Sequence, residues 1–433
     1  MKKNKTIAMV EIAIVLCSVF LVAIPAIAAE QNQEMQKASA SEVTTASEDD
    51  YVLGVYGNAN EDDTIDMRDL TYVKLIFFGK KPETELADAK YDGKLNPLDF
   101  IQIKLITVGK EKEITIVDEV DRVVTVEKPV KRIVSLSCDF EVMRCLGVEK
   151  ERIVGLTDCH KDKMFYPDYS DIPSVGDCHD PDDEAILSLH PDLVFHYYHY
   201  PDQIETFEDL GLTAIGINLC NQLDFKEQVK KLGYILGKEE NLKEFLEFYE
   251  ESLDTVEKEV KGITDDEKTR LFFELYYPYY SFGEESTLWQ AFVDASGGNN
   301  IFSDISGVYA EVSPEVVMKR DPEVIVREYY YEDKAAHEVD EPTRFKEARD
   351  KILGRAELAN VSAIPDERVY IMDWTLIESA RHFIGIQYMA KWLYPEKFVD
   401  LDPKATHQEY ITRFLRLDYD LDEHGVWVYP ETS

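Results

Sequence analysis

Glu184-Ala-Ile-Leu-Ser-Leu-His-Pro-Asp-Leu-Val-Phe-His-Tyr-Tyr198 recurs, loosely, 131 positions downstream as Glu315-Val-Val-Met-Lys-Arg-Asp-Pro-Glu-Val-Ile-Val-Arg-Glu-Tyr-Tyr330. At that offset Glu184 falls on Glu315, Pro191 on Pro322, Asp192 on Glu323 and Tyr198 on Tyr329. Each copy predicts a short amphipathic helix, with Ile186, Leu187 and Leu189 apolar in the first and Val316, Val317 and Met318 in the second. Pro191 and Pro322 end the helices, because the ring clashes with the preceding turn and lacks the amide donor. The runs Leu193-Val194-Phe195 and Val324-Ile325-Val326 that follow are all apolar, as in strands buried on both faces. One helix–strand unit used twice predicts two similar α/β lobes, each with aromatic and charged residues at its strand ends.

The chain around this pair fits that reading. Short apolar runs at Arg132–Ser137, Arg152–Leu156 and Thr213–Ile217 alternate with helical segments over 114–238, as in a mainly parallel sheet. Between Asn241 and Val260 there is no Pro or Gly, and Leu242, Phe245, Leu246, Tyr249, Leu253, Val256 and Val260 recur at helical steps. This predicts one long connecting helix, placed at 239–262. A second lobe follows over 263–433, with strands at Arg270–Leu275 and Arg368–Asp373 and a helix from Ser379 to Leu393.

The amino end is a targeting signal over 1–28, with Lys2, Lys3 and Lys5 ahead of an apolar run and Ala26-Ile27-Ala28 as a cleavage site. The run is also long enough for an uncleaved anchor. The protein is therefore expected outside the cytoplasm, in the periplasm or on the cell surface, behind a polar stalk over 29–51. Net charge is -39 over 433 residues. That argues against a nucleic-acid partner, whose phosphates are bound by Lys and Arg. No nucleophile–base motif, phosphate-cradling loop or HExxH stands in the sequence, so the chain does not read as an enzyme.

Residues 52–110 carry two oxygen-rich loops, each followed by a helix. Asn58, Asn60, Asp62, Thr64 (by its carbonyl), Asp66 and Asp69 stand at the spacing of a Ca²⁺ loop. Asp88, Asp92, Asn96 and Asp99 repeat it, with Lys90 at a ligand position. The segment resembles a dockerin, a small EF-hand-like α-helical module. The resemblance implies Ca²⁺ in the first loop, a second site opposed by the Lys90 ammonium, and a cohesin-type partner.

From about Ile114 onward the chain resembles the class III periplasmic binding proteins that serve ABC importers of iron–siderophore, haem and cobalamin. The resemblance rests on Arg132–Ser137, Ser174-Val175-Gly176, the Glu184–Phe195 unit and its partner, and Arg381–Phe398 with Ala390-Lys391-Trp392-Leu393-Tyr394-Pro395. It implies two lobes on a rigid helix, a ligand between them, and an importer permease as partner. It also implies that Glu184 and Glu315 dock on permease arginines. A first-turn carboxylate equally suits the helix dipole, and the two explanations are compatible. Arg381 matches a cleft position and is expected to contact an anion.

Ligands of open α/β sheets bind beyond the carboxyl ends of the strands. That selects His196, Tyr197 and Tyr198 in the first lobe, and Tyr277, Arg327, Tyr329, Trp374 and Arg381 in the second. An aromatic wall with two arginines suits a large, partly planar, anionic metal chelate. Fe³⁺–siderophore is the first expectation and corrinoid or haem the next; the alternatives are a cell-surface interaction protein acting through a dockerin–cohesin contact, or direct binding of a free metal ion. Asp158-Cys159-His160 and Asp177-Cys178-His179 form a repeated triplet. It reads either as a soft-metal site or, preferably in an exported protein, as a Cys159–Cys178 disulfide.

Overall fold

The computed structural model describes residues 51–137, 139–158, 165–331 and 333–431. The signal, most of the stalk, Cys138, Cys159 and His160 lie outside the described residues, and with them the disulfide expectation. From Tyr51 onward the chain forms one compact unit.

Strands β1 (Glu113–Val117) and β2 (Val123–Glu127) form an antiparallel hairpin. The first-lobe sheet contains β3 (Ile133–Ser135), β4 (Ile153–Leu156), β5 (Leu193–Tyr197) and β6 (Ala214–Ile217), all parallel in the order β4-β3-β5-β6. The second-lobe sheet contains β7 (Arg270–Glu274), β8 (Asn299–Asn300), β9 (Val324–Tyr329), β10 (Val369–Asp373) and β11 (Val428–Tyr429). Its order is β8-β7-β9-β10-β11, parallel except for β11. All of β6 and β10 is buried, which is why they are written as unbroken apolar runs rather than as alternation.

Both copies of the repeated unit fold alike. The first helix, Asp183–Ser188, is capped by Asp182, which accepts from the Ala185 amide at 2.9 Å. The second, Pro314–Arg320, is capped by Ser313, which accepts from the Glu315 amide at 3.2 Å. Ile186 and Val317 are the fully buried anchors, whereas Met318, expected on the apolar face, is exposed.

The long helix spans Glu239–Lys261 and buries Leu242, Phe245, Leu246, Phe248, Tyr249, Leu253 and Val256. It packs on the first-lobe helix Phe225–Leu236 and on the second-lobe helix His382–Leu393. Each buried apolar side chain contributes about 1.5–3 kcal/mol, so this seam fixes both lobes to one rod. The tail returns to the first lobe: Arg144 donates to the Leu415 carbonyl at 2.5 Å, and Arg416 donates to the Arg144 carbonyl at 2.6 Å.

The segment with the oxygen-rich loops is not a free-standing bead. Val55 bridges to Ile116 of β1, the Ile65 amide donates to the Tyr234 hydroxyl at 3.1 Å, and Lys230 pairs with Asp63 at 2.6 Å. Helices Met67–Phe77 and Pro97–Thr107 follow the two loops and pack on each other. The loops repeat at a 30-residue offset in their hydrogen bonds. Asn60 N and Asp66 N donate to Asp69 at 3.2 and 2.7 Å, and Lys90 N and Asn96 N donate to Asp99 at 3.0 and 2.7 Å. Glu61 and Tyr91, again 30 apart, both have positive φ. The Lys90 ammonium corrects one expectation: it pairs with Glu113 of β1 rather than standing in for a cation in its own loop.

Candidate functional site

The carboxyl ends of β7, β9 and β10 open onto a cavity of about 1230 Å³. Tyr276, Tyr277, Arg327, Tyr329, Tyr330, Trp374 and Glu378 line it, with Arg344, Lys351 and Arg355 on the adjoining side. Parallel pairing sets this up. Arg327 stands beside Glu274 in β7 and beside Ile371 in β10, and Tyr329 stands beside Asp373, so three strands end at one level. Of the residues expected in the cleft, Tyr277, Arg327, Tyr329 and Trp374 meet here.

The charges in this cavity differ from the expectation. Glu274 is fully buried between two guanidinium groups. Arg355 holds it bidentately at 2.6 and 3.0 Å, and Arg327 contacts it at 3.0 Å. A second Arg327 nitrogen donates to the Tyr276 carbonyl at 2.6 Å. Arg344 is paired with Asp333. Arg327 and Arg355 are thus spent on the buried Glu274 and Arg344 is paired with the exposed Asp333, so the wall offers an anion less than a count of arginines suggests. Glu274, Arg355 and Glu378 were missed in the sequence. The one signal was Glu328, a second charge inside the otherwise apolar run of β9.

Arg381 needs an outright correction. It is buried, and its Nε and Nη2 each donate to Glu141 at 2.9 Å. The Tyr410 hydroxyl donates to the same carboxylate at 2.7 Å. Burial alone would raise the Glu141 pKa, but the guanidinium and the hydrogen bonds outweigh it and hold the carboxyl below its ordinary value. Arg381 therefore joins the lobes instead of facing a ligand. Phe165 of the first lobe closes the same region, with His337 at 4.8 Å, Tyr419 at 4.6 Å and the Arg381 guanidinium at 5.7 Å from its ring. His382 is equally committed: its Nδ1 donates to the Ser379 carbonyl and its Nε2 accepts from the Tyr249 hydroxyl, both at 2.9 Å.

His196 is also not at the rim. It is fully buried, bonded to Gln203 and stacked on Tyr200 at 5.2 Å, and burial lowers its pKa to about 4. Tyr197 stacks on His199 at 5.1 Å, and Tyr198 is exposed. These first-lobe residues do not line the second-lobe cavity. Asp177, Cys178 and His179 bring one donor atom each within 4.8 Å of one another. Glu184 and Glu315 are both exposed on their helices, and Glu315 is held below the usual carboxylate range by its bond to Ser313.

Comparison with known proteins matches this architecture. A model of the periplasmic binding protein family covers residues 134–375, more than half of the chain, and leaves the oxygen-rich loops outside it. The molybdate-binding protein MolA of Haemophilus influenzae is 21% identical over 342 residues, covering 71% of this chain and 92% of its own. Among solved structures, the TroA-like periplasmic binding protein FepB from Veillonella parvula superposes with a TM-score of 0.62 at 24% identity, covering 72% of this chain and 98% of its own. Helicobacter pylori CeuE with Ni(II) bound gives 0.55 at 19% identity, covering 70% and 96%. The chain belongs to the periplasmic binding protein family: it is an extracytoplasmic, non-catalytic solute-binding protein that works with an ABC importer.

Proposed function

We propose that the protein captures a metal chelate at the second-lobe cavity and presents it to the importer. The cavity carries this reading: about 1230 Å³ lined by Tyr276, Tyr277, Tyr330 and Trp374 is far larger than a bare metal ion needs. Flat aromatic faces favour a partly planar cargo. The spent arginines favour a cargo of low or positive charge over the anionic chelate that residue types alone suggested. An Fe³⁺–siderophore remains the first choice, with a corrinoid or haem next. The relatives warn against reading cargo from fold, since one is described as binding molybdate and another holds Ni(II). The test is absorption spectra and metal content of the purified protein, followed by fluorescence titration with ferric siderophores, cobalamin, haem and divalent metals. Saturable binding of one chelate is expected. Binding of none would overturn the reading.

On this account Glu184 and Glu315, exposed at matched points of the two lobes, are the permease contacts. The first oxygen-rich loop is assigned to Ca²⁺ through Asn58, Asn60, Asp62, the Thr64 carbonyl, Asp66 and Asp69, on the support of the duplicated hydrogen-bond pattern. The second loop, with Asp88, Asp92, Asn96 and Asp99, has a Lys at position 90 and binds more weakly. Met67, Leu98 and Ile101 on the two following helices, and Phe78 and Val108 at their carboxyl caps, are exposed, which supports a cohesin-type protein as a further partner. Calorimetric titration with Ca²⁺, then repeated on Asp62→Ala, tests the loop, and heat unchanged in that variant would reject it.

A further inference from the structure

Glu378 lines the aromatic cavity and accepts from the Tyr276 hydroxyl at 2.6 Å. Behind it stands Glu328, fully buried, with neither carboxyl oxygen in a well-formed hydrogen bond. The groups facing Glu328 are Glu378 and the Trp289 indole, whose N–H is directed at the carboxyl pair without a well-formed bond, with the Asp373 carboxylate near by. A buried carboxyl without partners is costly, and this one lies beside another. Burial raises both pKa values, and the Glu378 charge raises that of Glu328 further, so the pair retains protons that isolated glutamates would lose. Its neighbour in β9, Arg327, does not relieve it, because Arg327 is bound, with Arg355, to Glu274.

The walls above are aromatic. The Tyr276 and Tyr330 rings lie 6.3 Å apart, edge to face, and Tyr330 and Trp374 lie 5.8 Å apart. Ring faces attract cations, and they do so best when the cation is weakly hydrated. They supply no oxygen donors for a hard metal ion, which wants six or more.

We propose that Glu378, backed by Glu328 and walled by Tyr276, Tyr330 and Trp374, is a cation-accepting subsite that takes an organic ammonium group of the cargo. This rests on the reading of the cavity as the cargo site and adds the charge and kind of group bound. The incoming ammonium replaces a proton as the counter-charge of the carboxyl pair. No covalent bond changes.

The test is titration of the full chain with tetramethylammonium chloride, followed by tryptophan fluorescence, with sodium chloride at equal ionic strength and sodium molybdate as controls. The expected result is a saturable change with tetramethylammonium alone, weakened at least tenfold in Glu378→Gln and in Tyr330→Leu. Tyr330 is part-exposed, so the second variant keeps the test valid if the first does not fold. No saturation, or equal affinity in both variants, overturns the proposal. Tighter, Glu378-dependent binding of NiCl₂ overturns the assignment to an organic cation. The outcome is separable from the chelate screen. Tetramethylammonium binding with no chelate bound retires the chelate reading and keeps the subsite; the reverse retires the subsite alone.

Discussion

The two copies of the helix–strand unit end differently. At the 131-residue offset His196 of β5 corresponds to Arg327 of β9, and Tyr197 to Glu328. The first-lobe end is largely closed on itself: His196 is bonded to Gln203 and stacked on Tyr200, and Tyr197 is stacked on His199. The second-lobe end is unfinished. Its arginine is half-consumed by Glu274, its glutamate is buried beside a second carboxyl without a well-formed hydrogen bond, and a large cavity stands by them. The same scaffold thus supports one end that is a structural corner and one that waits for a ligand. His196 Nδ1 is also buried without a partner, so what sets the second-lobe end apart is the cavity over its buried carboxyl pair, and function is assigned there.

The strongest way to break this comparison is to cut the staple that holds the two ends in register. Arg381→Ala leaves the Glu141 carboxylate buried with only hydroxyl partners. It should cost about 3–5 kcal/mol in urea unfolding, with Glu141→Ala in the same range. A loss under about 1 kcal/mol would mean the lobes do not depend on this pair.

The next effect is one of pH. Burial lowers the His382 pKa from 6.5 to about 4, so the folded protein keeps it neutral where the unfolded chain is protonated. Its contribution is intact above pH 6.5, falls as the pH drops toward 4, and then levels, a total of about 3 kcal/mol. His382→Phe should flatten that part of the stability–pH curve.

Glu328 has the opposite sign. Its folded pKa is raised, so the stability it contributes is present below about pH 4.5 and is lost as the pH rises. Glu328→Gln should therefore raise stability at pH 8 and leave it unchanged at pH 4. A drop at pH 8 would show that the carboxylate is stabilising and the end not unfinished. The smallest effect on stability is expected on the surface. Glu184→Ala and Glu315→Ala should each unfold like the parent while reducing importer-dependent uptake.

How far the sequence could be read follows from the range of the interactions. The repeated unit, its proline stops and the connecting helix depend on periodicities within some twenty residues, and they stand in the structure close to where spacing put them. The cavity was legible as a set of strand ends rich in Tyr and Arg. Its charge was not. Glu274 meets Arg355 81 residues away, and Glu141 meets Arg381 240 residues away. Residue types at strand ends say which groups are near a site, but not which have already found partners. That is why Arg381 and His196 read as ligand contacts and proved to be internal. It is also why Glu378, a lone acid between Ile377 and Ser379, gave no signal.

The most direct test of the difference between the two ends is calorimetric titration with the chelate the screen identifies, on three proteins: the parent, Tyr198→Ala in the first lobe, and the double variant Tyr277→Ala/Trp374→Ala in the second. The account predicts that the second-lobe variant loses at least tenfold in affinity, while Tyr198→Ala stays within about threefold, since each ordered aromatic contact contributes about 1 kcal/mol. Loss confined to Tyr198→Ala, with the second-lobe variant binding like the parent, would contradict it and move the site to the first lobe.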